Sequence, residues 1–191
     1  MKLADHSYKS LVIDILSKSF DDNQSINYIV KQDSKRKKRI EGLMGYCFEI
    51  CMAKGQIFMS DDDKACALIL HPEKKMGAIK EMLLELKLAI DSIGVTRSFK
   101  VLKREKLIKQ NHPKEPFYYL WFVGVTPDVQ GNGIGSSLIE KVFQKYDEET
   151  RPFYLETSAV KNLSWYKKYG FKIIKELDLG YRLYLMLKPK R

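Results

Sequence analysis

Apolar residues recur along this chain with two different periods, and the switches between them mark out its elements. Leu11, Val12, Ile15 and Leu16 stand at helical spacing and predict a helix over residues 8–19, with a shorter one over 25–30. Ile40, Leu43, Met44, Cys47, Ile50 and Cys51 form the stripe of a long helix over 35–54, with Asp33 and Ser34 offering its N-cap and Gly55 its stop. Residues 56–60 and 65–70 then read as two strands of a hairpin around Asp61-Asp62-Asp63-Lys64. Helical spacing returns over 76–93, with Ile79, Met82, Leu83, Leu86 and Ile90 on one face, and a basic helix follows over 97–109.

The run Phe-Tyr-Tyr-Leu-Trp-Phe-Val-Gly-Val over 117–125 has no polar interruption and is rich in aromatic and β-branched residues. It predicts a central strand buried on both faces. Beyond it come a turn at Thr126-Pro127-Asp128, the segment Gln130-Gly131-Asn132-Gly133-Ile134-Gly135, and an amphipathic helix over 136–146. A strand over 153–157, a short helix over 162–169 closed by Gly170, and a hairpin of strands 171–177 and 181–187 complete the chain. No repeat, low-complexity tract or linker interrupts this order, so a single domain over 1–191 is expected.

The glycine segment joins a strand to a helix start, where backbone N–H groups lack intrahelical partners and the helix dipole adds positive charge. Such a turn is an anion site, and its glycines let the backbone approach a phosphate closely. The spacing separates three uses of this device. A P-loop needs Gly-Lys-Ser/Thr where this chain has Ile134-Gly135, and a dinucleotide fingerprint spaces its last glycine differently. The third is Q/R-x-x-G-x-G/A, and Gln130-x-x-Gly133-x-Gly135 resembles the acetyl-CoA signature of the GNAT acetyltransferases. Two further blocks follow in the same order, Leu155-Glu156-Thr157-Ser158 and then Asn162-Leu163-Ser164-Trp165-Tyr166-Lys167-Lys168-Tyr169-Gly170-Phe171. Together they resemble the puromycin N-acetyltransferase branch of that superfamily.

The resemblance implies an α/β (α+β) fold with a mixed, mostly antiparallel sheet flanked by helices. It also implies a V-shaped splay between strands 117–125 and 153–157. It makes 117–191 the acetyl-CoA-binding half and 1–116 the acceptor side. The family's opening strand has only residues 1–5 available, so it is expected to be short or missing. By resemblance, Val123 and Val125 offer main-chain contacts to the acetyl-pantetheine arm, and Gln130, Gly131, Asn132, Gly133, Ile134, Gly135 and Ser136 cradle the pyrophosphate. Asn162 hydrogen-bonds the arm, and Tyr166, four residues before Gly170, is the proton donor to the departing thiolate.

The residues themselves add chemistry to this outline. A phenol is protonated at neutral pH and suits that donor role; Tyr169 is a competing candidate next to Gly170. Glu156, on the strand after the cofactor helix, is the candidate base for the amine, and a strand glutamate paired with a lysine on the surface is the alternative. Tyr118, Tyr119 and Trp121 serve equally well as acceptor-pocket lining or as core.

Charge and composition change this picture little. The formal net charge of +10 favours anionic partners, and much of it lies in Lys35–Arg39 and Arg97–Lys114. No nucleic-acid motif accompanies it, so nucleic acid is not an expected partner. The three cysteines, Cys47, Cys51 and Cys66, are odd in number and lack histidines at ligand spacing, so buried reduced thiols and no metal are expected. The Asp61–Asp63 run lacks the glycine and distal glutamate of a calcium loop. No apolar run reaches membrane-spanning length and the first residues carry no signal-type run, so a cytoplasmic location and no membrane partner are expected. The expected activity is acetyl transfer from acetyl-CoA to the primary amine of a small molecule, by a monomer or homodimer. The alternatives are a non-catalytic acyl-CoA sensor and a protein- or ribosome-associated N-acetyltransferase.

Overall fold

The computed structural model describes residues 1–148 and 150–190. Its elements run β1 (Lys2–Leu3), α1 (Lys9–Ser19), α2 (Gln24–Ile29), α3 (Arg36–Lys54), β2 (Gly55–Met59), β3 (Ala65–Leu70), α4 (Ala78–Leu88), α5 (Val95–Lys109), β4 (Tyr118–Val125), α6 (Ile134–Lys145), β5 (Phe153–Thr157), α7 (Leu163–Lys168), β6 (Lys172–Asp178) and β7 (Arg182–Lys188). The strands form one sheet in the order β1-β2-β3-β4-β5-β7-β6. Every neighbouring pair is antiparallel except β4 and β5. The opening strand is present but only two residues long, pairing Lys2 with Met59 and Leu3 with Phe58.

Helices cover both faces of the sheet. On one face Val12, Ile15 and Leu16 of α1 pack with Ile40, Met44 and Phe48 of α3 over Leu68 of β3 and Phe122 of β4. On the other, Leu138, Ile139 and Val142 of α6 cover Ala65, Ala67, Tyr118, Leu120 and Leu155. The expectation that the 117–125 strand is buried on both faces needs correction, because fully buried positions alternate along β4 with half-buried ones. The reason lies in the gap that opens along one side of the strand, described below.

Strand β4 also carries an irregularity. Phe122 pairs with Leu68 and Leu120 with Ile69, so Trp121 stands as one extra residue. A bulge of this kind flips the side-chain alternation beyond it. Tyr118 and Leu120 lie on the α6 face, Phe122 turns to the α1–α3 face, and Val123 and Val125 return to the α6 face.

Two residues of the basic run at 35–39, Arg36 and Arg39, belong to the scaffold. The long helix starts at Arg36 rather than at an Asp33–Ser34 cap; Asp33 Oδ1 instead accepts from the Lys35 N–H at 3.1 Å. Arg39 Nε and Nη2 bind the two oxygens of Asp33 at 2.9 and 2.8 Å, which holds that carboxyl well below the usual carboxylate range. Arg36 reaches Asp21 Oδ1 at 2.6 Å and Asn27 Oδ1 at 2.8 Å, tying the α1–α2 connection to α3.

The helix predicted over 76–93 forms, but it is α-helical only to Leu88 and ends in a π-helical turn over Ala89–Ile93. Its predicted apolar face is in solvent: Ile79, Met82, Leu83, Leu86 and Ile90 are all exposed. Leu84 and Leu88, one turn apart, make the contact with the core instead. Apolar residues surround most of this helix, so periodicity does not decide which side docks. Replacing Leu86 by Lys is therefore expected to change unfolding free energy by no more than about 0.5 kcal/mol, the range of surface substitutions. Leu68→Ala at the sheet centre, a fully buried site, is expected to cost about 2–5 kcal/mol. Urea titration of both variants checks the contrast.

Candidate active site

Strands β4 and β5 pair in register only at Tyr118 with Phe153 and at Tyr119 with Tyr154. Beyond these rungs the two strands diverge, and the sheet opens between residues 120–125 and 155–157. The Thr126 N–H donates to the Lys64 carbonyl at 2.9 Å, on the β3 side. Alternation along the strand then turns the N–H groups of Val125 and Val123 the other way, into the opening. The Val125 N–H donates to Ser19 Oγ at 3.2 Å, so the end of α1 closes one edge of this gap. Asn23 Oδ1, which caps α2 by accepting from Ser25 and Ile26, also accepts from Ser158 Oγ at 3.4 Å just past the end of β5.

The glycine segment hangs from the same strand end. Gln130 Nε2 donates to the Val125 carbonyl at 2.9 Å and folds the turn back on β4. Gly131 and Gly133 adopt φ of +86° and +80°, a conformation costly to residues with a Cβ. Gly133 is the N-cap of α6 and supplies no side chain to cap it. The Ser137 N–H is bonded to the Gly133 carbonyl, which leaves the N–H groups of Ile134, Gly135 and Ser136 without intrahelical acceptors. A Cβ added at Gly131 or Gly133 would meet no atom within 4 Å, so the cradle is open on the side where an anion would sit. At Gly135 it would lie 3.0 Å from Val125 Cγ2, so any larger residue would have to displace that side chain for the helix start to press against the strand end. Dipole, free N–H groups and open space together fit a pyrophosphate.

These parts line one groove of about 520 Å³. Val123, Val125, Gln130, Gly131, Gly133, Ile134, Gly135, Ser136, Asn162 and Tyr166 all border it. Asn132 borders a neighbouring depression with Asp61 and Lys141 instead. Ser19, Phe20, Asp22 and Asn23 border the groove from the α1–α2 connection, and no motif in the sequence signalled them. Lys161 adds the cation on its rim.

Tyr166 is buried, 9% exposed, against Trp165 and Phe171. Burial pushes its phenol well above the ordinary value, so it stays protonated. Trp165 Nε1 donates to Ser136 Oγ at 2.9 Å and ties α7 to the first turn of α6. Tyr169 points elsewhere; its hydroxyl donates to Glu140 Oε1 at 3.1 Å.

Glu156 does not border the groove. Leu155 packs with the α6 cluster, so its neighbours Tyr154 and Glu156 face the opposite side of β5. There the Glu156 side chain is only 8% exposed, with Oε1 3.5 Å from His112 Nε2. Tyr119 lies on the same side, its hydroxyl pushed well above the ordinary value by burial and by the Glu156 charge. Tyr118 packs with His71, Tyr146 and Phe153 on the α6 face, and Trp121 packs on Phe122.

Cys47, Cys51 and Cys66 are free and buried, and burial pushes the Cys66 thiol up to about 12. Among the described residues, no group of three His, Cys, Asp or Glu could hold a metal ion, and no helix is long and apolar enough to cross a membrane.

Residues 93–173, which include much of the groove's lining, match the acetyltransferase (GNAT) domain model. An uncharacterised N-acetyltransferase of Schizosaccharomyces pombe is 26% identical over 174 residues, 86% of this chain and 70% of that protein. A Corynebacterium glutamicum structure described as a histone acetyltransferase HPA2 and related acetyltransferase superposes with a TM-score of 0.69 at 17% identity, over all of this chain and 95% of that one. Arylalkylamine N-acetyltransferase 2 from Aedes aegypti superposes with a TM-score of 0.60 at 17% identity, over 98% of this chain and 97% of that one. Residues 93–173 thus match a domain of the GNAT acetyltransferases, a family that uses acetyl-CoA, and the whole chain shares the fold of these acetyltransferases.

Proposed function

We propose that this enzyme transfers the acetyl group of acetyl-CoA to the primary amine of a small molecule by direct attack. The observation that carries the reading is the opening between β4 and β5, which has Tyr166 on one side of the sheet and Glu156 on the other. The glycine cradle holds the pyrophosphate at the start of α6, with Asn132 at its outer rim and Asn162 beside the arm. The N–H groups of Val123 and Val125 face the opening, where a backbone donor aimed at a developing oxyanion lowers a barrier by about 3 kcal/mol. Glu156 takes the proton of the acceptor ammonium on one face while Tyr166 protonates the departing thiolate on the other.

In this reading residues 1–116 supply the acceptor side and 117–191 the donor side of one catalytic unit. The mosquito relative is named for arylalkylamines, which supports a small amine as acceptor for this fold. Phe20, which borders the groove, suits an apolar body on that amine. The three unpaired buried thiols suit a reducing compartment such as the cytoplasm.

Incubation with acetyl-CoA and a panel of small primary amines is expected to release free CoA thiol in step with an acetylated product seen by mass spectrometry. Tight CoA binding with no thiol release from any acceptor would leave a binding module and sink the catalytic reading.

A further inference from the structure

Beside Glu156 lies a cluster of buried polar atoms. Among the described residues, Glu156 Oε1, His112 Nε2 and the Tyr154 hydroxyl are buried without a well-formed hydrogen bond, although the Tyr154 hydroxyl stands close enough to the Glu156 carboxylate to interact with it. Buried polar atoms left in this state are uncommon and call for a reason. His112 lies in the connection between α5 and β4. Its ring is fixed by edge-on contacts with Phe117, Tyr119 and Tyr154, at centroid distances of 5.3, 5.8 and 4.9 Å. That cage sets Nε2 3.5 Å from Glu156 Oε1, while the side chain keeps 19% of its surface in solvent. The imidazole thus spans the distance from the carboxylate to water.

We infer that His112 is a positioning residue for Glu156, orienting its carboxylate and carrying its proton to solvent. The inference rests on Glu156 being the base, as proposed above. The steps balance as follows. The acceptor ammonium gives one proton to Glu156, and the freed nitrogen lone pair attacks the thioester carbon. A C–N bond forms, the C–S bond breaks, the thiolate takes the Tyr166 proton, and the product nitrogen gives up its remaining extra proton, which restores the Tyr166 phenol. Glu156 then passes its proton to His112 Nε2, and the imidazolium releases it to water, so one proton is released per turnover. The carboxylate is largely enclosed by protein, and His112 supplies the outlet.

The surrounding charges belong to this assembly. Arg104 and Glu105 face it from α5, Tyr119 from β4, Tyr154 from β5 and Tyr181 from the β6–β7 turn. Arg104 donates through Nε to the Tyr181 hydroxyl at 2.8 Å and pairs with Glu105. Burial works against its charge, yet Glu105, Tyr181 and Glu156 outweigh this and hold the guanidinium above its ordinary value. A permanent cation therefore stands near the carboxylate.

The test is a double-mutant cycle of His112→Gln and Glu156→Gln, read as kcat/KM for an accepted amine against pH, with CoA affinity as the folding control. His112→Phe, which fills the cage with a ring that cannot titrate, is run alongside. The expected result is a loss of about 10- to 100-fold for either His112 variant. The acid limb of the profile should change shape, CoA affinity should hold, and no further loss should follow once Glu156 is already Gln. A wild-type pH profile in a His112 variant that binds CoA, or losses that multiply in the double variant, would overturn the inference. Full activity in Glu156→Gln alone would instead remove the base on which it rests. If neither His112 variant binds CoA, the residue is a structural part of the core and the inference also falls.

Discussion

Replacing Tyr166 by Phe is expected to lower kcat by about 100-fold or more while leaving CoA affinity within about twofold. The substitution removes one oxygen and keeps the ring that packs against Trp165 and Phe171. Stability and the groove wall are therefore preserved. What is lost is the proton for the departing thiolate. Burial raises the tyrosine's pKa above the ordinary 10.0 and so makes it a weaker acid. The same dry surroundings disfavour the thiolate, so its demand for a proton rises along with the phenol's hold on its own. The sign gives a second readout: a phenol held above its ordinary value stays protonated throughout pH 6 to 10, so Tyr166 contributes no alkaline fall in rate there. An unchanged kcat in Tyr166→Phe would reduce this residue to packing. A parallel loss of CoA affinity would mean that its hydroxyl holds the cofactor instead.

Gly133→Val should weaken CoA binding by at least about 10-fold, from two separable causes. Gly133 sits at φ +80°, where a β-branched residue is strained by about 1–2 kcal/mol. The new side chain would also stand in the open cradle, in the space proposed for the pyrophosphate. Gly133→Asn separates the two, since Asn tolerates the left-handed conformation yet still fills the cradle. The expected pattern is a lower melting temperature for Val than for Asn, with CoA affinity, measured by calorimetry, reduced in both. Unchanged affinity in both variants would place the phosphates elsewhere.

Much of this site was legible because its requirements are local. Glycines at 131, 133 and 135, between a β-rich run and an amphipathic helix, specify a turn with positive φ and a bare helix start whatever surrounds it. Tyr166 was equally legible, since α7 is a short helix with its spacing to Gly170 written in the chain. Other features were not. Ser19 and Asn23 close the gap from a connection without a motif, and their roles appear only once Arg36 fastens that connection to α3. His112 reads from sequence as an isolated histidine, and only folding sets it against Glu156. The stripe of α4 misled because hydrophobic spacing reports that a helix has an apolar side, not that the protein covers it.

By itself, then, the sequence determined the elements, their order and the glycine turn before α6, since backbone propensity, side-chain period and the conformational freedom of glycine act over a few residues. The tertiary structure alone decided where β4 and β5 part, which way the Trp121 bulge turns Val123 and Val125, and which face of β5 carries Glu156. These depend on strand register and on helices packed from distant parts of the chain. The energies that choose among registers arise between residues tens of positions apart, beyond the reach of any local pattern.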